Sequence, residues 1–154
     1  MWNVVFLLIG LFIIFADQLS KHWIRTNLPE GQMLFKIGFF RITHVQNTGA
    51  AFGLFQDKSF ILTIVALVAV TALLAYGLSI HRRFPLFSSL LSKISLGLVL
   101  GGTVGNLVDR VRFGFVTDFI DFTYWPAFNI ADSAITIGVI LFAYSLFRPL
   151  RAPK

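Results

Sequence analysis

Residues 126–147, PAFNIADSAITIGVILFAYSLF, read as a membrane helix with polar groups at its mouth. From Ile135 onward the stretch is almost wholly apolar, yet Asn129, Asp132 and Ser133 stand at its start. Asp132 is ionisable at the edge of hydrocarbon, where a charged side chain is costly unless it has a partner or a task. The same stretch therefore decides the fold class and raises the functional question.

Three further apolar stretches, at about 4–24, 60–80 and 87–108, accompany the one at about 128–147. Each approaches the roughly 20 residues that a helix needs to cross a bilayer. Hydrophobic residues make up 56% of the chain and charged residues 13%, which excludes a soluble domain with a polar shell. The expected fold is an all-α polytopic membrane protein, a single integral membrane domain over 1–154 with four transmembrane helices. The first stretch has no basic segment before it and no small-residue cleavage site after it, so it reads as a retained span and not as a signal peptide.

The links set the orientation. The link after the second span carries Arg82, Arg83 and Lys93 without an acid, and the tail carries Arg148, Arg151 and Lys154 without an acid. Short basic links stay in the cytoplasm, which places both termini there and the 25–59 and 109–128 segments outside. Within the first outer segment, FKIGFFRITHV (35–45) alternates in part between apolar and polar β-favouring residues. This predicts a small outward-facing β element between helices one and two. NTGAAFGLF (47–55) follows, with turn chemistry at Asn47-Thr48-Gly49 and then a small, apolar run suited to the lipid interface.

Several chemistries are excluded. The chain has no cysteine, so disulfides and thiol nucleophiles are absent. His22, His44 and His81 are scattered without metal-ligand spacing. No cofactor is expected. The net charge of +6 comes from cations at segment ends, not from a patch interleaved with aromatics, so a nucleic-acid partner is not expected either.

The polar residues inside the spans carry the rest. Asp17 and Lys21 lie one helical turn apart and read first as a structural ion pair, with a helper that positions a catalytic loop as the alternative reading. In the third span Gly97, Gly101 and Gly105 share a face that lets another helix backbone approach closely. Asp109 continues that face, and Gly102, Asn106 and Arg110 form the adjacent line. Between the third and fourth spans, carboxylates recur at Asp109, Asp118, Asp121 and Asp132. Crowding carboxylates at a membrane surface costs desolvation and repulsion. A pair sharing one proton has a use: one member is general base toward a water, and the other is general acid toward a carbonyl. Simpler readings stand beside this one. Asp132 suits a helix cap shared with Asn129 or Ser133, Asp109 suits an ion pair with Arg110, and Asp118 and Asp121 suit a solvated loop. Residue chemistry does not choose among Asp109, Asp118 and Asp121 as the partner of Asp132.

Five ordered blocks, DQLSK (17–21), NTGAAFG (47–53), GGTVGNLVDR (101–110), VTDFIDF (116–122) and FNIADSAITIG (128–138), together resemble the lipoprotein signal peptidase family, also called signal peptidase II. The resemblance covers nearly the whole chain. It implies an intramembrane aspartyl endopeptidase of the bacterial inner membrane that cuts diacylglyceryl-modified prolipoproteins just before the lipidated cysteine. It implies Asp118 and Asp132 as the catalytic dyad. It assigns Asn47, Gly49, Asn106, Asp109, Arg110, Asn129 and Ala131 to substrate contact or dyad support, with Asp17 and Lys21 as a structural polar pair. It also implies membrane lipids as partners, inhibition by globomycin-like cyclic peptides, and a monomer. Two rival readings stand beside it: a small transporter, which would spread carboxylates through the bilayer depth and against which their crowding at one side weighs, and a scaffold that binds lipidated proteins without cutting them.

Overall fold

A computed structural model describes residues 2–50, 54–79 and 89–147. The basic positions Arg82, Arg83, Arg148, Arg151 and Lys154, the 51–53 part of the NTGAAFG block, and the ends of the expected second and third spans at 80 and 87–88 lie outside the described residues.

Four helices long and apolar enough to cross a membrane are present among the described residues: α1 (Trp2–Asn27), α2 (Ser59–Leu78), α3 (Leu90–Phe113) and α4 (Ile130–Phe147). Helix α3 is the hub. In its most apolar window 56% of residues are buried, against 11–17% in the other three, so α1, α2 and α4 surround it and turn apolar side chains such as Leu11, Phe15, Phe60, Val68 and Ile140 outward. Outside water, helices gain little from burying apolar surface, so close backbone approach and polar contacts must hold them together.

The small residues of α3 supply that approach on two faces. A Cβ at Gly105 would lie 2.5 Å from Asp17 Oδ2 of α1, and one at Gly102 would run into the Ala131 carbonyl oxygen of α4. Glycine at these positions lets both neighbours come close beside the polar groups. Deeper along the same faces, Phe6, Leu96 and Leu100 form the buried apolar core.

Two of the helix boundaries that depart from the apolar stretches bear on the site. Helix α3 runs on to Phe113, past the end of its hydrophobic run, because Asp109 and Arg110 are paired inside the protein. Helix α4 begins at Ile130 and not at Phe128, because Phe128 belongs to a strand.

The region at this end of the helices holds more β structure than the sequence suggests. Strands β1 (Met33–Ile37) and β2 (Phe40–Asn47) occupy the expected place between α1 and α2. The link between α3 and α4 is a second hairpin, β3 (Val116–Phe122) and β4 (Trp125–Phe128). All four strands form one antiparallel sheet in the order β1-β2-β3-β4. Phe35, Phe40, Phe122 and Phe128 make an aromatic ladder across it, with ring centroids 5.9, 5.5 and 5.9 Å apart. Arg41 and Asp121, opposite each other on β2 and β3, pair at 2.8 Å. Buried His44 ties β2 to the end of α1, its Nδ1 lying 2.7 Å from the Leu28 carbonyl oxygen. A carbonyl only accepts, so Nδ1 carries the proton. The sheet thereby brings the 40–47 and 116–122 segments, which are far apart in the chain, to the same end of the helices.

Candidate active site

The opening stretch resolves into a reciprocal cap. Asn129 precedes α4, and its Oδ1 accepts from the Asp132 backbone N–H at 2.9 Å. Asp132 Oδ2 accepts in return from the Asn129 backbone N–H at 3.2 Å, the arrangement of a capping box. Ser133 bonds back to the Asn129 carbonyl at 3.0 Å. Capping therefore uses one oxygen of Asp132. The other, Oδ1, accepts from Asn106 Nδ2 of α3 at 2.8 Å.

Asp118 sits on β3, almost completely buried. Asn47 Nδ2, from β2, donates to its Oδ2 at 2.9 Å, and Asn129 Nδ2 donates to its Oδ1 at 2.7 Å. Burial pushes the carboxyl up to about 7; the nearby charge of Asp132 adds to the rise, and the two asparagine donors oppose it.

Each asparagine amide is oriented by a group that can only donate. Lys21 Nζ lies 2.8 Å from Asn106 Oδ1, the Asp132 N–H meets Asn129 Oδ1, and the Gly49 N–H meets Asn47 Oδ1 at 2.9 Å. With the oxygens fixed this way, all three NH₂ groups point toward carboxylates. Asp118 and Asp132 are thus separate residues on separate elements, coupled by Asn129, which bonds to both.

Both carboxylates line a cavity of about 520 Å³. Asn47, Gly49, Asn106 and Arg110 line it with them, and Val116, Trp125, Phe128, Ile135 and Ile137 give it apolar walls. Arg110 Nη2 donates to the Gly49 carbonyl at 3.0 Å, which holds the turn after β2 against α3. The cavity thus brings a pair of carboxyls together with apolar side chains from the start of α4.

Behind it lies an ion cluster. Lys21 pairs with Asp17 at 2.9 Å, as the spacing on α1 predicts, and also with Asp109 at 3.4 Å; all three side chains are fully buried. Arg25 reaches Asp109 at 3.3 Å and donates to Thr117 Oγ1 at 2.9 Å. Gln18 donates to Asp17, Asp109 and the Gly105 carbonyl. Two acids and two bases balance, which a buried cluster requires.

The candidates therefore divide. Asn47, Gly49, Asn106, Arg110, Asp118 and Asp132 face the cavity, with Asn129 between the carboxyls. Asp109, Asp17 and Lys21 stand behind it, and the Ala131 backbone N–H donates to Asp17 Oδ1 at 3.0 Å. Asp109 pairs with Lys21 and Arg25 and not with its neighbour Arg110, and Asp121 is taken up by Arg41. Arg25 and Thr117 were not singled out from the sequence. Arg25 extends the Asp17, Lys21 line by one more turn, a signal that was legible; Thr117 became significant only through pairing in the sheet.

A helical membrane protein whose sheet and helix ends gather two carboxyls over one cavity has the architecture of a membrane enzyme. Two solved structures, each described as a bacterial membrane enzyme determined by the in meso method, superimpose on the chain. One, at 2.3 Å resolution, has a TM-score of 0.84 at 32% identity, covering 97% of this chain and 94% of its own. The other, at 1.9 Å, has a TM-score of 0.79 at 34% identity, covering 94% and 93%. A lipoprotein signal peptidase of Moorella thermoacetica is 47% identical over 146 residues, covering 94% of this chain and 93% of the relative. One of Dehalococcoides mccartyi is 48% identical over 128 residues, covering 82% and 79%. The family described as signal peptidase (SPase) II matches residues 9–148. The chain belongs to the signal peptidase II family, the lipoprotein signal peptidases, and is a multi-pass membrane peptidase.

Proposed function

We propose that the protein is an aspartic endopeptidase in which Asp118 and Asp132 activate a water to cut diacylglyceryl-modified prolipoproteins N-terminal to the lipidated cysteine. The observation that carries this reading is the placement of two carboxyls, coupled through Asn129, on the wall of one cavity. Family membership supplies the substrate class, and the apolar wall suits a substrate that arrives from lipid.

In the proposed reaction the two carboxyls share one proton, which rests on Asp118, whose burial favours the neutral acid. A water between them gives a proton to Asp132 as its oxygen attacks the scissile carbonyl carbon. The carbonyl oxygen takes the proton of Asp118, and a gem-diol forms. The gem-diol then returns a proton to Asp118, and the proton on Asp132 passes to the leaving nitrogen as the C–N bond breaks. The products are a carboxylic acid and an amine, and the dyad ends with its single proton. Asn47, Asn106 and Asn129 hold the carboxyls, while Gly49 and Arg110 shape the rim where extended substrate would lie. The signal-peptide helix and diacylglyceryl chains would lie along the apolar walls, in contact with membrane lipid. A globomycin-like cyclic peptide would occupy the same cavity. The enzyme would act as a monomer in the bacterial inner membrane, with both termini cytoplasmic and the site near the outer face.

The test is a gel-shift assay of purified protein with a diacylglyceryl-prolipoprotein, with and without globomycin. Asp118→Asn and Asp132→Asn are expected to insert, fold and fail to cleave. Processing at the normal rate by either variant would remove the dyad assignment.

A further inference from the structure

We infer that Lys21 is a positioning residue for the two carboxyls, and not only half of a structural ion pair. The inference rests on the dyad reading above. Its basis is what the three partners of the ammonium hold in turn.

Asp17 Oδ2 pairs with Lys21, while Asp17 Oδ1 accepts the backbone N–H of Ala131, the residue before Asp132. Asp109 Oδ2 lies 3.4 Å from Lys21 and accepts the backbone N–H of Thr117, the residue before Asp118, at 3.0 Å. The third partner, Asn106, turns its oxygen to Lys21 and so donates its NH₂ to Asp132. One cation on α1 therefore joins the anchor of α4, the anchor of β3 and the amide that faces Asp132. An ammonium has three N–H donors, and here three acceptors surround it at 2.8, 2.9 and 3.4 Å in full burial.

The arrangement sets a distance. The two carboxyls sit on elements that do not touch through a shared backbone ladder: β3 belongs to the sheet and α4 to the helix bundle. Both elements are pinned beside the relevant residue to a carboxylate that Lys21 holds. Removing the ammonium leaves Asp17 without a cation beside Asp109, which keeps only Arg25, so the joint hold on β3 and α4 is lost. It also takes from Asn106 Oδ1 its closest donor, leaving only the 3.2 Å contact from Asn129 Nδ2 to keep that oxygen turned away from Asp132. Chemistry that needs both carboxyls on one water would lose its geometry even where the fold survives.

The test compares kcat, KM and thermal unfolding of detergent-purified variants on a diacylglyceryl-prolipoprotein. Lys21→Met is paired with Asp17→Asn/Lys21→Met, which retains a balanced Asp109–Arg25 pair and an amide oxygen able to accept from Ala131. The expected result for the folded double variant is a kcat lower by about 10²-fold with little change in KM, as for loss of an interaction that acts in the transition state. In an Asn106→Ala background, Lys21→Met is expected to cost less than it does alone, because part of its effect runs through that amide. A folded Lys21 variant with the parental kcat would overturn the inference, and so would failure of both Lys21 variants to fold, which would assign the lysine to stability alone. Asp118→Asn, assayed in parallel, separates the two readings. If it is inactive while Lys21→Met is fully active, only the positioning role falls; if it is active, the dyad falls and takes the positioning role with it.

Discussion

Asn129 donates from Nδ2 to Asp118 Oδ1 at 2.7 Å while its Oδ1 accepts the backbone N–H of Asp132 at 2.9 Å. One amide thus serves as the cap of α4 and as the link between two carboxyls. Asn129→Ala removes both roles. The expected cost is about 1 kcal/mol of stability from the lost cap, together with a fall in kcat much larger than that destabilisation explains. Thermal unfolding and steady-state kinetics on the same preparation check it.

The pH dependence follows from Asp118. Its carboxyl is raised to about 7 from 3.8, mainly by burial, so the folded protein binds the proton more tightly than the unfolded chain. Stability from this group is complete below about 4 and is lost as pH rises through about 7. If Asp118 acts as the neutral acid, activity declines over the same upper range, and the limb belongs to the coupled pair. Asp118→Asn should flatten the dependence of unfolding temperature on pH between about 4 and 7. An unchanged dependence in that variant would place the titration elsewhere.

Gly105 faces Asp17 with no room for a methyl group, since a Cβ there would lie 2.5 Å from Oδ2. Gly105→Ala must push α1 from α3 or displace Asp17 from Lys21 and Ala131. The expected loss is about 1–3 kcal/mol, the range for overpacking, accompanied by reduced cleavage. Denaturation in detergent and the gel-shift assay measure the two effects.

Arg41 and Asp121 provide the contrast. They pair at 2.8 Å on the sheet, with Arg41 partly exposed and Asp121 buried, away from the cavity. Asp121→Asn, which keeps a carbonyl oxygen for Arg41, should cost about 1–3 kcal/mol, the range for a hydrogen bond to a charged group, and leave cleavage near the parental rate. A dead but folded Asp121→Asn protein would mean that the wrong carboxyl has been set aside.

Local sequence was enough for the membrane class, the four spans, the Asp17–Lys21 pair, a small β element between the first two helices and the ordered blocks that mark the family. Each of these is local: a span is a run of apolar residues of sufficient length, and an i,i+4 pair is set by helix geometry. The order of the blocks needs no coordinates at all. The tertiary structure decided the rest. VTDFIDF is rich in β-favouring residues, but that Asp118 stands on a strand and not in a loop depended on pairing with β2, whose partner segment lies some 70 residues earlier in the chain. That Asp132 takes part in the cap while keeping one oxygen for Asn106 depended on how closely Gly102 lets α4 approach α3. Composition and spacing left Asp109, Asp118 and Asp121 as equivalent carboxylates, because electrostatic environment is a property of neighbours in space. Lys21 and Arg25 hold Asp109, Arg41 holds Asp121, and Asp118 is left buried beside Asp132.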